Sequence, residues 1–302
     1  MTPAINDVHC HLFSRAFLRA LAGQRGTSDT PENLCTELGW DVPGEPPDLA
    51  DRWVQELDRH GVGRAVLIGS IPGDEDSVAA AVARHPGRLV GASMIDPSRE
   101  DAAGRVALLR ARGIRMLCLF PAMHHVGLDD PRTHAVVEAA ASTPGMVVFV
   151  HCGVLSVGVR RKLGLTSRFD LRLGDPLAVH RLALMFPQVP FLVPHFGAGR
   201  LQEALMLADT CSNVYLDTSS SNSWMRYWPG LTLEDVFRAA LSVAGPGRLI
   251  FGTDSSFFPR GWQQPLYARQ VEAMRATGIG EVDIERMLAG TFDALFGPAS
   301  PL

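Results

Sequence analysis

Short apolar runs bounded by glycine, proline or aspartate recur along the chain, and between them apolar residues return at helical spacing. The runs predict strands at Ala4 to His9, Ala65 to Gly69, Leu89 to Ile95, Ile114 to Phe120, Met146 to His151, Phe191 to His195, Asn213 to Asp217 and Arg248 to Gly252. The stretches between them predict helices at Asp48 to His60, Asp74 to Arg84, Ser98 to Arg112, Pro131 to Ser142, Pro176 to Phe186, Arg200 to Thr210, Leu233 to Val243 and Gln264 to Thr277. Gly61, Gly113 and Gly278 stand where helices should stop, and Thr232 ahead of Glu234 and Asp235 suits a helix start. Val282 to Phe296 reads as an extra helix closing the domain.

Strands that are apolar throughout, each followed by a helix, imply a parallel sheet buried on both faces. Eight such units predict an α/β fold, a (β/α)8 TIM barrel forming a single domain over residues 1–302. A doubly wound open sheet is the alternative, but no Gly-x-Gly-x-x-Gly follows any strand to support it. Two connections exceed ordinary βα loops: Leu12 to Pro46 after strand one and Gly153 to Asp175 after strand five. Both leave from the face where barrel active sites are built, and they read as lids or subunit contacts.

Composition narrows the function classes. At 46% hydrophobic and 20% charged residues the chain has a globular profile, and a net charge of −4 argues against nucleic acid or an anionic membrane surface as partner. The first residues carry neither a positive n-region nor an apolar h-region, and no apolar run reaches membrane-spanning length, which predicts a cytoplasmic protein. Five scattered cysteines without a C-x-x-C argue against a disulfide framework or zinc knuckle. Lys162 is the single lysine, so chemistry that needs a lysine, such as a Schiff base or a carbamylated metal bridge, must use it or be absent. That counts against a Schiff-base aldolase.

The candidate chemistry sits at strand ends. In strand one, alternation puts Asp7, His9 and His11 on one face and Val8 and Cys10 on the other, with the imidazoles about 7 Å apart along the strand, close enough to share a metal beyond its end. Among ten histidines a single His-x-His is a weak motif. His151 ends strand five, His195 ends strand six in His-Phe-Gly-Ala-Gly, and Asp254 follows strand eight in Gly-Thr-Asp. On a barrel these side chains converge on one mouth. Each alone could bond to backbone or cap a helix, but so many unpaired polar groups together are costly unless a metal or substrate satisfies them.

Asp7-Val8-His9-Cys10-His11, the strand-five His, the strand-six His and Gly-Thr-Asp, in that order over nearly the whole chain, resemble the amidohydrolase superfamily. More narrowly they resemble its amidohydrolase-related branch, with the aminocarboxymuconate semialdehyde and resorcylate decarboxylase relatives. The resemblance implies that His9, His11, His151 and Asp254 bind one divalent metal, that His195 is the acid/base beside it and that Asp7 is structural. Two-metal members carry a carbamylated lysine at the end of strand four. Strand four here ends Cys118-Leu119-Phe120-Pro121, so one ion is expected. The resemblance also implies a homodimer.

Imidazoles with one carboxylate and an open position suit zinc, with manganese as the alternative. A metal-activated water, with His195 moving the proton, is the machinery of a hydrolase for a small carboxylated or cyclic amide, ester or lactone. The same residues would serve a decarboxylase of a carboxylated aromatic or muconate-type compound, in which His195 or Asp254 delivers the proton that replaces CO2. A metal-independent lactonase, and a binding protein without catalysis, are further alternatives. For substrate contacts the expectation names Arg260 after strand eight, Arg168 among Arg160, Arg161 and Arg172 in the loop after strand five, Trp224 with Tyr227 and Trp228 after strand seven, and His124 with His125 after strand four.

Overall fold

In the computed structural model, which describes residues 4–26 and 29–298, each apolar run becomes a strand. The strands are β1 (Ile5–Leu12), β2 (Val62–Gly69), β3 (Leu89–Met94), β4 (Ile114–Leu119), β5 (Val147–Val150), β6 (Phe191–Val193), β7 (Val214–Asp217) and β8 (Leu249–Ile250). They run parallel, in sequence order, in one eight-stranded sheet. Backbone bonds between β1 and the segment leaving β8 close the ring: Val8 N to Phe251 O at 3.0 Å, Asp254 N to His9 O at 2.8 Å and His11 N to Ser255 O at 2.7 Å. The fold is the predicted (β/α)8 TIM barrel. An open sheet would leave β1 with a free edge.

Side chains alternate between two apolar layers. Val66, Ile68, Val90, Ala92, Met116, Cys118, Phe149, Leu192 and Ile250 fill the barrel, and Phe292 and Phe296 of the last helix plug the end opposite the candidate site. Leu67, Leu117, Val148, Val193 and Leu216 face outward onto the helices. The helix Leu233–Ala244 starts after Thr232 as expected, and the structure adds a capping box there, Thr232 Oγ1 accepting from Asp235 N at 3.1 Å. Among the described residues no helix is long and apolar enough to cross a membrane, and all five cysteines are buried thiols.

Strand β1 departs from strict alternation. Between Asp7 and Cys10 it advances three residues while β2 advances two, Ala65 to Leu67, which is a β-bulge. Asp7 and Cys10 therefore oppose the outward residues Ala65 and Leu67, whereas Val8 joins the barrel interior and His11 opposes inward Ile68. The expectation that Asp7 shares a face with His9 and His11 is corrected by that extra residue. A second correction concerns Ser98 to Arg112, where only Val106–Ala111 is α-helical. Asp96 Oδ1 accepts from Ser98 N at 2.9 Å, so turn chemistry takes the first half of the segment.

Both long connections leave β1 and β5 as predicted. The first carries helices Arg15–Gln24 and Pro31–Leu38, and its Phe17, Leu18, Leu21, Leu34 and Trp40 pack against Val159 and Leu163 from the second. One small hydrophobic cluster, made from two distant stretches, thus stands beside the mouth.

Candidate metal centre

The mouth holds a cavity of about 520 Å3 whose floor includes His9, His11, His151, His195 and Asp254. His9 Nε2 and His11 Nε2 lie 3.3 Å apart, and both face Asp254 Oδ1, at 3.7 and 3.2 Å. These three residues offer donor atoms within 4.8 Å of one another, a set able to hold a cation. Two imidazole nitrogens at 3.3 Å with at most one proton between them make a poor hydrogen bond and a good pair of ligands.

Each histidine is oriented from behind. His9 Nδ1 lies 2.7 Å from Asp217 Oδ2, and His11 Nδ1 lies 3.0 Å from Ser70 Oγ. A carboxylate on the far nitrogen fixes the tautomer that leaves Nε2 free to ligate. Burial pushes the His9 pKa down, but the Asp217 carboxylate outweighs it and the net shift is upward. For His11 burial dominates and the pKa falls. Asp254 lies well below the ordinary carboxylate range, because contacts with His11, His9 and His195 outweigh its burial. Its backbone is left-handed (φ 60°), a conformation that aspartate tolerates better than most side chains.

His151 lines the same cavity without joining the tight group. Its Nδ1 is buried and has no protein partner, and its ring lies 5.4 Å from that of His195. Burial, reinforced by His195 and His9, holds it well below the ordinary histidine pKa, so it is a neutral imidazole with an unused nitrogen. An orphaned ring nitrogen on a histidine of this cavity is costly unless something satisfies it, and the converging donors of His9, His11 and Asp254 fit a divalent ion.

His195 sits in a left-handed backbone run, with φ 57° at His195, 52° at Phe196 and 84° at Gly197. The run lies against Gly153 in the loop after β5, where an added Cβ would come within 2.1 Å of Gly197 O. Glycine is therefore required there, and the loops that carry His151 and His195 are pinned together by Val154 N donating to Ala198 O at 2.8 Å. His195 Nδ1 is 2.9 Å from Ser219 Oγ and 3.2 Å from Ser219 O. Burial lowers its pKa, and it rests neutral.

Asp7 lies behind the site, wholly buried. Its carboxylate accepts from His9 N (2.8 Å), Thr253 N (3.2 Å), Thr253 Oγ1 (2.6 Å) and Trp262 Nε1 (2.7 Å), tying β1 to the turn that carries Asp254. Burial pushes its pKa up to about 6 despite those donors.

Of the expected substrate contacts, Arg260 and Trp224 line the cavity. Arg260 donates to Ser256 Oγ at 2.6 Å and lies over the Phe257 ring. His124 and Arg168 do not line it. The short helix Pro121–His124 turns His124 away, and Arg168 is exposed on the outer side of its loop, where its carbonyl accepts from His125 Nε2 at 2.6 Å. From the same loop it is Arg161 and Lys162 that reach the cavity, with Arg226 from the loop after β7. None of these four cations forms a salt bridge among the described residues, and Asp254 is the one carboxylate on the wall. Aromatic rings form one side: Trp40 stacks on Phe257 at 4.1 Å and Phe13 on Phe17 at 4.1 Å.

Sequence reasoning did not single out Asp217, Ser219 or Ser70. Asp217 had a signal, since it ends an apolar strand as His195 does. Ser219 had none that separates it from Ser220 and Ser221.

With this geometry in place, the comparisons are specific about family. The chain matches the amidohydrolase family profile over residues 7–297, and it belongs to that family. No curated protein matches it. Similar solved structures include an uncharacterised TIM-barrel protein from Bordetella bronchiseptica, 20% identical with a TM-score of 0.67, covering 98% of this chain and 99% of that one. A zinc-bound amidohydrolase from Burkholderia multivorans is 17% identical with a TM-score of 0.62, again at 98% and 99% coverage. A probable 2-pyrone-4,6-dicarboxylic acid hydrolase from Acinetobacter baumannii, with citric acid bound, is 15% identical with a TM-score of 0.62, at 97% and 99% coverage.

Proposed function

We propose that this amidohydrolase-family chain is a metal-dependent hydrolase of small, flat, carboxylated substrates, a cyclic ester being the leading candidate. The observation that carries the reading is the convergence of His9 Nε2 and His11 Nε2 on Asp254 Oδ1 at the floor of a cavity walled by four unpaired cations. His9, His11 and Asp254 would hold one divalent ion, zinc ahead of manganese, with His151 supplying the fourth donor. When bound, such an ion supplies Lewis-acid polarisation and water activation.

The chain's own residues supply the rest. His195, neutral and with Nδ1 engaged, takes the proton of the attacking water and returns it to the leaving oxygen. Arg260 and Ser256 hold a carboxylate at depth, while Arg161, Lys162 and Arg226 draw a second anionic group to the rim. The aromatic side chains Phe13, Trp40, Trp224 and Phe257 on the cavity wall give the substrate's ring an apolar surface to pack against. A neutral His195 beside the ligand set suits the base that hydrolysis requires. In the carboxy-lyase alternative the same imidazole would instead deliver the proton that replaces CO2.

Elemental analysis of the chain, as purified and after zinc loading, combined with ring-opening assays on 2-pyrone-4,6-dicarboxylate and the uncharged lactone dihydrocoumarin, tests this reading. About one zinc per chain, with zinc-dependent opening of the dicarboxylate, is expected. Hydrolysis by metal-free protein would instead make it a metal-independent lactonase, and CO2 release without ring opening would make it a decarboxylase.

A further inference from the structure

On the inner side of the cavity floor, His9, His195 and Asp217 form a second facing set, all three buried. Ser219 Oγ stands in the middle of it, 3.0 Å from His9 Nδ1, 2.9 Å from His195 Nδ1 and 2.9 Å from Asp217 Oδ2. A hydroxyl has one proton to give and lone pairs to receive, and an aspartate carboxylate can only receive.

Those rules leave one arrangement. Asp217 Oδ2 lies 2.7 Å from His9 Nδ1, so His9 must donate there, because two lone pairs at that distance would repel. Ser219 Oγ and Asp217 Oδ2, 2.9 Å apart, likewise need a proton between them, and of the two only the hydroxyl has one, so the Ser219 proton goes to Asp217 rather than to His195. Ser219 Oγ then has only lone pairs left for His195 Nδ1. The other neighbour of that nitrogen is Ser219 O at 3.2 Å, a carbonyl that also only accepts. Nδ1 of His195 therefore carries the ring proton, and Nε2 carries the lone pair.

We infer that Ser219 is a positioning residue: its hydroxyl, aimed by Asp217, locks His195 in the Nδ1–H form and presents Nε2 to the cavity as the proton acceptor. The same carboxylate orients His9, so one group sets both a candidate metal ligand and the base beside it. The role rests on the assignment of His195 as base, but the tautomer can be read without any substrate.

The test is NMR of zinc-loaded protein carrying 15N-labelled histidine, with the His195 resonances assigned by their loss in His195→Asn. Wild type is expected to show a protonated Nδ1 and an unprotonated Nε2. Ser219→Ala, which leaves only the longer carbonyl bond, is expected to give a mixture of tautomers. Its kcat on the lactone that the wild type opens should fall about 10- to 100-fold, with KM within about twofold and zinc content unchanged. A wild-type His195 protonated on Nε2 overturns the inference, as does an alanine variant that keeps either the single tautomer or the wild-type kcat. If neither lactone is opened, the hydrolase reading fails while the wild-type spectrum still decides the tautomer.

Discussion

The Asp217 carboxylate, whose partners are the His9 imidazole, the Ser219 hydroxyl and the Ser219 backbone N–H, all buried, does its work through what it orients. Replacing Asp217 by Asn offers His9 Nδ1 either a weaker neutral acceptor or a second donor, so His9 is no longer held with Nε2 free. Zinc affinity should fall about 10- to 100-fold, read by competition with a chromophoric chelator, with the melting temperature of the metal-free protein little changed. Arg260 tests the other half of the site. Arg260→Gln should raise KM for 2-pyrone-4,6-dicarboxylate at least about tenfold and leave dihydrocoumarin kinetics unaltered. Equal loss on both lactones would mean that Arg260 supports the Asp254 turn rather than a substrate carboxylate.

At this scale the sequence displayed what ends a strand and concealed what packs behind it. His9, His11, His151, His195 and Asp254 are legible because parallel strands in a barrel bring their C-terminal ends together. Asp7 departs from the alternation of its strand because the bulge that turns it has no distinctive residue type here. His124 and Arg168 illustrate a different limit: loop residues are placed by local turns, and residues a few positions apart in one loop, such as Arg161 and Arg168, end on opposite sides of it.

Between elements, the helix Pro46–Arg59 is tied to the helix Glu75–Arg84 by Asp51, whose carboxylate accepts from Arg84 Nε at 2.9 Å and faces His85 Nε2 at 2.6 Å. The arginine, then the histidine, depress the Asp51 pKa from 3.8 to about 2. A depressed carboxylate stabilises the fold above its unfolded pKa, and that contribution is lost as pH falls from 3.8 through about 2. Asp51→Asn should therefore lower the melting temperature by about 1–2 °C at pH 7. In thermal melts across pH the two proteins should converge below pH 2. A difference that persists undiminished in acid would assign the effect to packing rather than charge. The elements themselves were readable because apolar runs and helical spacing alternate without interruption. The segment from Ser98 to Val106 departs from its helical spacing because the Asp96 turn, of which that spacing says nothing, claims its backbone first.

For the molecule as a whole, the barrel and the cluster beside its mouth are separate hydrophobic units. Trp40 joins the two stretches of that cluster to Phe257 on the segment after β8. Trp40→Ala should raise hydrogen exchange over residues 13–26, 29–45 and 154–165 while the barrel strands keep their protection, and should raise KM more than it lowers kcat. Exchange that rises uniformly through β1 to β8 would show instead that the cluster and the barrel open as one.

That separation has a consequence for how the chain can be recombined. The wall beside the cavity is a single unit written in two places, residues before Trp40 and residues around Val159 to Leu163, each supplying half of a shared interior. A chimera that takes only one of the two stretches from a relative inherits half an interior facing a foreign complement. Exchanged as a pair, they should graft a new selectivity onto unchanged catalytic residues.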